Sequence, residues 1–285
     1  MSAIINYLKL TKPTIMLLVL MTGGVALVLE GSFLNQPLKF GLFLVGLYLT
    51  GGCANSLNQF FERDIDAKMT RTAANRPLPM GLLTKRQALL FSIGIGSSGV
   101  ILLAVTFNLL TGLLAVATIL FYSLVYTLWL KPGTSENIVI GGIAGAMAPV
   151  GAWTAATGTV ALMPWIMFLI VFLWTPPHFW SLALRFRDDY DRSELPMLPN
   201  VKGEKITLRR IFLYSLGLFV ASLLPLAVNF SWLYLTTAVG LGLVFVYKAF
   251  RCMEDRNPKE IWGLFKYSIF YLFSIFCCLI IGGLN

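Results

Sequence analysis

The chain is predicted to be an all-α membrane protein, one domain over residues 1–285 built as a polytopic bundle of nine transmembrane helices, and three observations predict it. Hydrophobic residues make up 57% of the chain against 12% charged, and the mean hydropathy is +0.78, outside the range of a soluble domain. Apolar stretches close to the ~20 residues that cross a bilayer recur nine times. Charge is gathered in alternate connections, so that one end of the bundle holds nearly all of it. Helices that pack side by side in lipid need no separate soluble cores, so the length does not call for two domains.

The first span, 13–29, stands where a short apolar run can imitate a signal peptide. Gly23, Gly24 and Ala26 lie inside it and no polar cleavage region follows, so it reads as a retained helix. The second, 40–60, continues without a breaker into charged sequence as far as Asp66. The third and fourth, 88–107 and 109–130, are separated only by Asn108. The fifth, 138–156, carries Gly141-Gly142-x-x-Gly145-x-x-x-Pro149 at mid-membrane depth, which suits close helix packing better than phosphate binding. The sixth, 162–184, contains Pro176-Pro177, expected to bend it. The last three cover 211–228, 232–250 and 264–281. Connections on one side, 30–39, Asn108, 157–161 and 229–231, do little beyond turning the chain. On the other side, 62–87 and 185–210 are long and strongly charged, and function is expected there.

Of the 22 Lys and Arg, all but Lys39 fall on that charged side, and of the 13 Asp and Glu, all but Glu30 do. The positive-inside rule then places the N-terminus and the active site at the cytoplasmic face, as in a bacterial plasma membrane. The net charge of +9 is explained by the lipid bilayer as partner and calls for no nucleic acid. A transporter or channel would line a path through the membrane with polar groups, whereas here the outer side is almost bare. Cys53, Cys252, Cys277 and Cys278 show no spacing for disulfides or zinc and are expected to pack.

On a helix continuing the second span, Asn58, Glu62 and Asp66 stand at i, i+4 and i+8, and Asn55 joins their face one turn earlier. Two carboxylates and an amide on one face repel unless something positive lies between them. Hard oxygen donors of this kind suit Mg²⁺, which commonly bridges carboxylates to substrate phosphates. The competing reading is a charged helix end paired with Arg63 and Lys68 in water, but polar groups at membrane depth are costly without a purpose. Lys68, Arg71 and Arg76 are candidate diphosphate ligands, Arg being able to clamp its oxygens bidentately. Lys85 and Arg86 are read as membrane anchors.

The second charged connection offers Asp188 and Asp191 at i, i+3, with Asp189 on the adjacent face as the alternative ligand. Spacing does not choose among them. Each long connection carries an acidic cluster and then a Pro-containing turn, Arg76-Pro77-Leu78-Pro79 or Leu195-Pro196-Met197-Leu198-Pro199, a hint of a duplicated helix-loop unit.

Asn58-Gln59-x-x-Glu62-x-x-x-Asp66 resembles the Asn-Asp-x-x-Asp-x-x-x-Asp signature of the UbiA superfamily of intramembrane prenyltransferases, with Gln and Glu replacing the first two acids. The run 188–194 resembles its second, Asp-rich motif, and nine helices with a cytoplasmic N-terminus agree across nearly the whole chain. Arg71-Thr72-Ala73-Ala74-Asn75-Arg76-Pro77-Leu78-Pro79, Trp174-Thr175-Pro176-Pro177-His178-Phe179-Trp180 and Pro196-Met197-Leu198-Pro199 resemble the heme-prenylating branch of that superfamily. So does Tyr126-Thr127-Leu128-Trp129-Leu130-Lys131-Pro132-x-Thr134-x-x-Asn137, with Pro132 where that branch usually has Arg; Lys131 remains available to phosphate. The resemblance implies Mg²⁺-dependent transfer of a farnesyl group from farnesyl diphosphate to a vinyl group of protoheme IX, followed by addition of water. It also implies a downstream heme-modifying enzyme or terminal oxidase as recipient. A quinone precursor or another ring, such as a chlorophyll-type one, is the alternative acceptor within the superfamily. His178, the single histidine, then becomes either a ligand of heme iron or a hydrogen-bond donor to a propionate or a neighbouring helix.

Overall fold

The computed structural model of the protein describes residues 3–229 and 231–283; Phe230, in the last outer connection, lies outside them. A short helix, α1 (Ala3–Leu10), precedes the first apolar helix, α2 (Pro13–Glu30). There follow α3 (Pro37–Lys68), the single turn α4 (Thr70–Ala73), α5 (Lys85–Thr106), α6 (Leu109–Gly133) and α7 (Asn137–Thr157). The second half holds α8 (Leu162–Arg185), the short α9 (Arg187–Arg192), α10 (Leu198–Ala227), α11 (Trp232–Asp255) and α12 (Pro258–Gly283). Among the described residues, nine of these helices are long and apolar enough to cross a membrane, one for each expected span.

The differences from the sequence reading are largest at the charged end, where the helices outrun their apolar stretches. The largest is in α10, which begins at Leu198 because Pro199 suits a first helical turn and because Gly203, at φ 80° and ψ 167°, lets the chain kink before the apolar part begins. At the second charged connection α8 stops at Arg185, and the acids occupy the separate α9. Pro176 and Pro177 sit inside α8 without ending it.

Helix ends follow local chemistry. Pro13, Pro37 and Pro258 open their helices, where a missing N–H costs nothing. Thr84 and Gln87 form a capping box at the start of α5, and Asn108 caps the second half of α6's hairpin with α5 by accepting from the Thr111 amide at 2.9 Å. From Phe121 to Leu130 α6 widens into π-helical turns, and the Thr127 hydroxyl bonds the Tyr122 carbonyl at 2.8 Å. Such widening re-aims side chains and marks functional segments.

In lipid, close backbone approach replaces the hydrophobic effect as the cause of helix association. The broadest contact, α3 on α5, passes over Gly99: a Cβ there would lie 2.8 Å from Leu49 Cβ and 3.1 Å from the Thr50 amide nitrogen. Gly141 lies under the Tyr126 ring and Gly142 against Thr175, so this part of the glycine-rich stretch serves packing, as expected. α2 packs on α3 and α7, α8 on α7, α10 and α12, and α12 returns to α2, which closes the bundle. Cys53 and Cys252 are buried thiols within it.

Overpacking at Gly99 tests this arrangement. Gly99→Ala is expected to cost about 1–3 kcal/mol and lower the melting temperature in detergent by several degrees. Gly94→Ala, on the same helix with open space around it, should leave it unchanged or raise it. Equal effects at both positions would contradict the packing described.

Candidate active site

At the charged end of the bundle the face of α3 expected from sequence is present and buried: Asn58, Glu62 and Asp66 are each no more than 3% exposed. Three cations from three other segments converge on it. Lys12, at the joint between α1 and α2, donates to Asn58 Oδ1 at 2.7 Å. Lys131, at the end of α6, donates to Glu62 Oε1 at 2.5 Å. Arg76 pairs with Asp66 and lies 3.8 Å from Glu62 Oε2. Arg76 reaches back because the connection folds under α3: the Thr72 hydroxyl donates to the Asp66 carbonyl at 2.7 Å and the Arg76 amide to the Thr72 carbonyl at 2.9 Å.

The cluster thus sets three positive charges against two carboxylates, away from water. Lys12 shows the imbalance. Loss of hydration and the adjacent Arg76 push its pKa well below the ordinary lysine value, and Glu62 and Asp66 do not restore it. Its backbone is left-handed, φ 52°, an uncommon conformation for a residue with a side chain. An anion entering here would meet a surplus of donors.

Asn58 also donates to Thr127 Oγ1 at 3.2 Å, which couples the cluster to the π-helical segment and through it to Tyr122. Asn55 and Gln59 turn elsewhere. Asn55 donates to the Thr11 carbonyl at 3.2 Å, and the Gln59 amide to the carbonyls of Lys9 and Leu10, both at 3.0 Å. Gln59 therefore pins the end of α1 onto α3. An acid at this position has no proton to give those carbonyls, which accounts for an amide where the signature it resembles has Asp.

The second acidic motif is not gathered into this cluster. Asp189 is buried and accepts from the backbone amides of Thr70 and Arg71, each at 3.1 Å, and from Arg192. It thereby caps α4 and ties the two charged connections together. Asp188 is exposed; Asp191, also exposed, accepts from Asn200 Nδ2 at 2.5 Å. Among the described residues no three His, Cys, Asp or Glu side chains lie close enough together to hold one ion. Of the other expected phosphate ligands, Lys68 is exposed, while Arg71 lies over the Phe186 ring at 5.4 Å with a buried Nε that has no acceptor.

His178 is elsewhere again. Its Nδ1 is 2.7 Å from the Ser268 hydroxyl, and its ring is stacked between Trp174 and Phe265, 4.2 and 4.7 Å away, in the contact of α8 with α12. Of the alternatives open from sequence, the bond to a neighbouring helix is the one the structure contains.

Below the cluster lies an apolar cavity walled by α2, α3, α6 and α7, with Leu103 of α5 at its far end. It runs from Asn55 and Tyr122 at the cluster to Phe43, Leu103 and Thr111 at the far end. The cavity has a volume of about 150 Å³. Tyr122 stands at the junction, stacked on Tyr126 at 5.1 Å. Sequence reasoning missed Lys12 and Tyr122. Lys12-Pro13 before an apolar run was a usable sign of a cation fixed at a helix start, but it is indistinguishable from a membrane anchor; nothing in the sequence announces the π-helical turns that aim Tyr122.

Residues 17–275 match the model of the UbiA prenyltransferase family. A protoheme IX farnesyltransferase of Symbiobacterium thermophilum is 47% identical over 97% of this chain and 93% of its own length. One of Synechocystis is 42% identical over 98% and 89%. In structure the chain is similar to a digeranylgeranylglyceryl phosphate synthase, with a TM-score of 0.81 at 19% identity over 99% of both chains. It is also similar to a UbiA homolog from Archaeoglobus fulgidus bound to DMAPP and Mg²⁺, with a TM-score of 0.64 at 14% identity over 95% of this chain and 99% of that one. At such identities these two likenesses speak for the fold.

The Asp189 tie has a measurable pH range. Burial by itself would raise its pKa, but the bonds from Arg192 and the Arg71 and Thr70 amides outweigh burial and hold it below the ordinary value. Stabilisation from a depressed carboxylate is complete above the unfolded value of about 3.9 and is lost only as pH falls through the lower folded one. Amides of 70–73 should therefore be protected from hydrogen exchange equally at pH 7 and pH 5. Asp189→Ala should speed their exchange about tenfold or more, the worth of one charged hydrogen bond. Unchanged exchange in the variant would contradict the tie.

Proposed function

The chain belongs to the UbiA prenyltransferase family, and we propose that it transfers the farnesyl group of farnesyl diphosphate to a vinyl group of protoheme IX. The observation that carries this reading is the cluster itself: three cations and two carboxylates at the mouth of an apolar cavity. A diphosphate with a hydrocarbon tail is the ligand whose two halves match those two environments. The names of relatives alike over nearly the full length favour protoheme over a quinone precursor as acceptor.

Asn58, Glu62 and Asp66 would hold Mg²⁺. Their fit rests on donor chemistry: hard oxygens on successive turns of one helix face, beside a surplus of cations that a phosphate would satisfy. When bound, Mg²⁺ would neutralise charge on the departing diphosphate. Lys12, Arg76 and Lys131 lie within reach of the same oxygens, and Arg71 has a spare donor in the adjoining connection. Asp189 acts on this account by fixing the connection that carries Arg71 and Arg76, with Asp188, Asp191 and Lys68 at the exposed rim. The allylic C–O bond breaks with its electron pair going to diphosphate. The cation so formed lies beside the Tyr122 ring, whose face stabilises it, and the apolar walls keep water away. The vinyl electron pair forms the new C–C bond, and water then adds to the resulting cation with loss of a proton. For the acceptor, the Ser268 hydroxyl gives its proton to the Phe265 carbonyl at 2.6 Å, so His178 Nδ1 donates to Ser268 and Nε2 keeps a lone pair that could meet iron. The basic residues gathered at the charged end support a cytoplasmic position for it in a plasma membrane.

The test is to incubate purified protein with protoheme and farnesyl diphosphate, with Mg²⁺ or with chelator, and to weigh the pigment by mass spectrometry. A product heavier by one farnesyl group and one hydroxyl is expected with Mg²⁺ only. Glu62→Gln and Asp66→Asn should each lose roughly 10²-fold or more in rate while inserting normally. Near-normal turnover in both, or unmodified protoheme with the wild-type protein, would sink this reading.

A further inference from the structure

The cavity has a definite length. On α3 its lining runs from Asn55 to Phe43, twelve residues, or about 18 Å at 1.5 Å per residue. On α6 it runs from Tyr122 to Thr111, about 16 Å by the same rise. An extended chain advances roughly 3.5 Å for three bonds, so an isoprene unit of four main-chain carbons spans ~4.7 Å, three units ~14 Å and four ~19 Å. Three units fit between the cluster and the far end. A fourth exceeds both measurements.

The far end is walled by packed aromatic and aliphatic side chains. Phe43 is 1% exposed and meets Phe107 edge-on at 6.0 Å, and Phe107 rests on Phe33 at 5.5 Å. Leu103, 3% exposed, fills the space over Gly46. On the opposite wall Thr111 Oγ1 lies 3.4 Å from Thr154 Oγ1, and Asn108 donates to the Thr154 carbonyl at 2.7 Å.

One lining position near that floor is vacant. A Cβ on Gly23 would meet Leu47, Phe43 and the Ala148 carbonyl, so this part of α7 lies beside the Phe43 end of the cavity. Gly151 is almost one turn further toward the floor and one turn short of Thr154. It lines the cavity, and a Cβ built there meets nothing within 4 Å.

We propose that Phe43 and Leu103 are the specificity-determining stop that limits the prenyl donor to three isoprene units, with the space over Gly151 seating the last unit. The proposal rests on the prenyl-transfer reading above and deepens it. Removing the stop lengthens the seat; filling the space over Gly151 shortens it. Since one methylene more or less in an apolar pocket already changes selectivity about tenfold or more, an isoprene unit should change it at least as much.

The experiment is a competition among geranyl, farnesyl and geranylgeranyl diphosphates, with protoheme and Mg²⁺ and products separated by mass. The wild-type protein should favour farnesyl. Phe43→Ala, or the milder Phe43→Leu and Leu103→Ala should the first not fold, is expected to raise the geranylgeranyl-to-farnesyl ratio roughly tenfold or more. Gly151→Leu should raise the geranyl-to-farnesyl ratio by a similar factor. Unchanged ratios in folded variants of both kinds, with the wild-type protein active on farnesyl diphosphate, would overturn the gauge and leave the transfer reading standing. A wild-type protein that transfers none of the three donors would overturn the transfer reading, and the gauge with it.

Discussion

Burial of two carboxylates with three cations at one end of the bundle is the constraint on which the rest of the structure depends. Taking charges out of water is expensive, and a buried ion cluster seldom repays that cost in stability. Here the partners come from four separate segments: Lys12 before α2, Glu62 and Asp66 on α3, Arg76 in the first charged connection, and Lys131 at the end of α6. To bring them together the chain accepts a left-handed backbone at Lys12, π-helical turns in α6 and a fold-back after α3. Each is a local cost that makes sense if the cluster is kept for what it binds.

The second charged connection supports this arrangement from outside. Asp189 spends its oxygens on Thr70, Arg71 and Arg192, so the segment bearing Arg76 is fixed to α9. Gln59 does the equivalent for α1, holding the carbonyls next to Lys12. The cluster's cations are thus positioned by residues that do not themselves point into it. Beneath, the cavity changes abruptly from charged to apolar across Asn55 and Tyr122, which separates a hydrophilic leaving group from the hydrocarbon it leaves.

The bundle was legible because lipid imposes two simple demands, ~20 apolar residues per crossing and charge kept to one side, and both are written in the sequence. The face of α3 was legible too, since i, i+4, i+8 spacing on an uninterrupted helix fixes Asn58, Glu62 and Asp66 by geometry alone. What lies beyond one helix was less so. Asp188, Asp189 and Asp191 look alike in sequence, and only the fold shows that Asp189 turns inward to the Thr70 and Arg71 amides while the other two stay exposed. Lys131 was expected at phosphate but its partner Glu62, 69 residues away, was not. Lys12 was hidden among membrane anchors, and the placing of His178 in the α8–α12 contact depends on Ser268, whose role has no local signature.

On this reading the cation surplus over Glu62 and Asp66 is a seat for a metal-bound diphosphate. Calorimetric titration of the detergent-purified protein with inorganic pyrophosphate measures this without any acceptor or prenyl chain. Binding should require Mg²⁺ and weaken roughly tenfold or more in Lys131→Ala, the loss of one charge-assisted contact. Pyrophosphate that fails to bind, or binds equally without Mg²⁺ and without Lys131, would contradict the account.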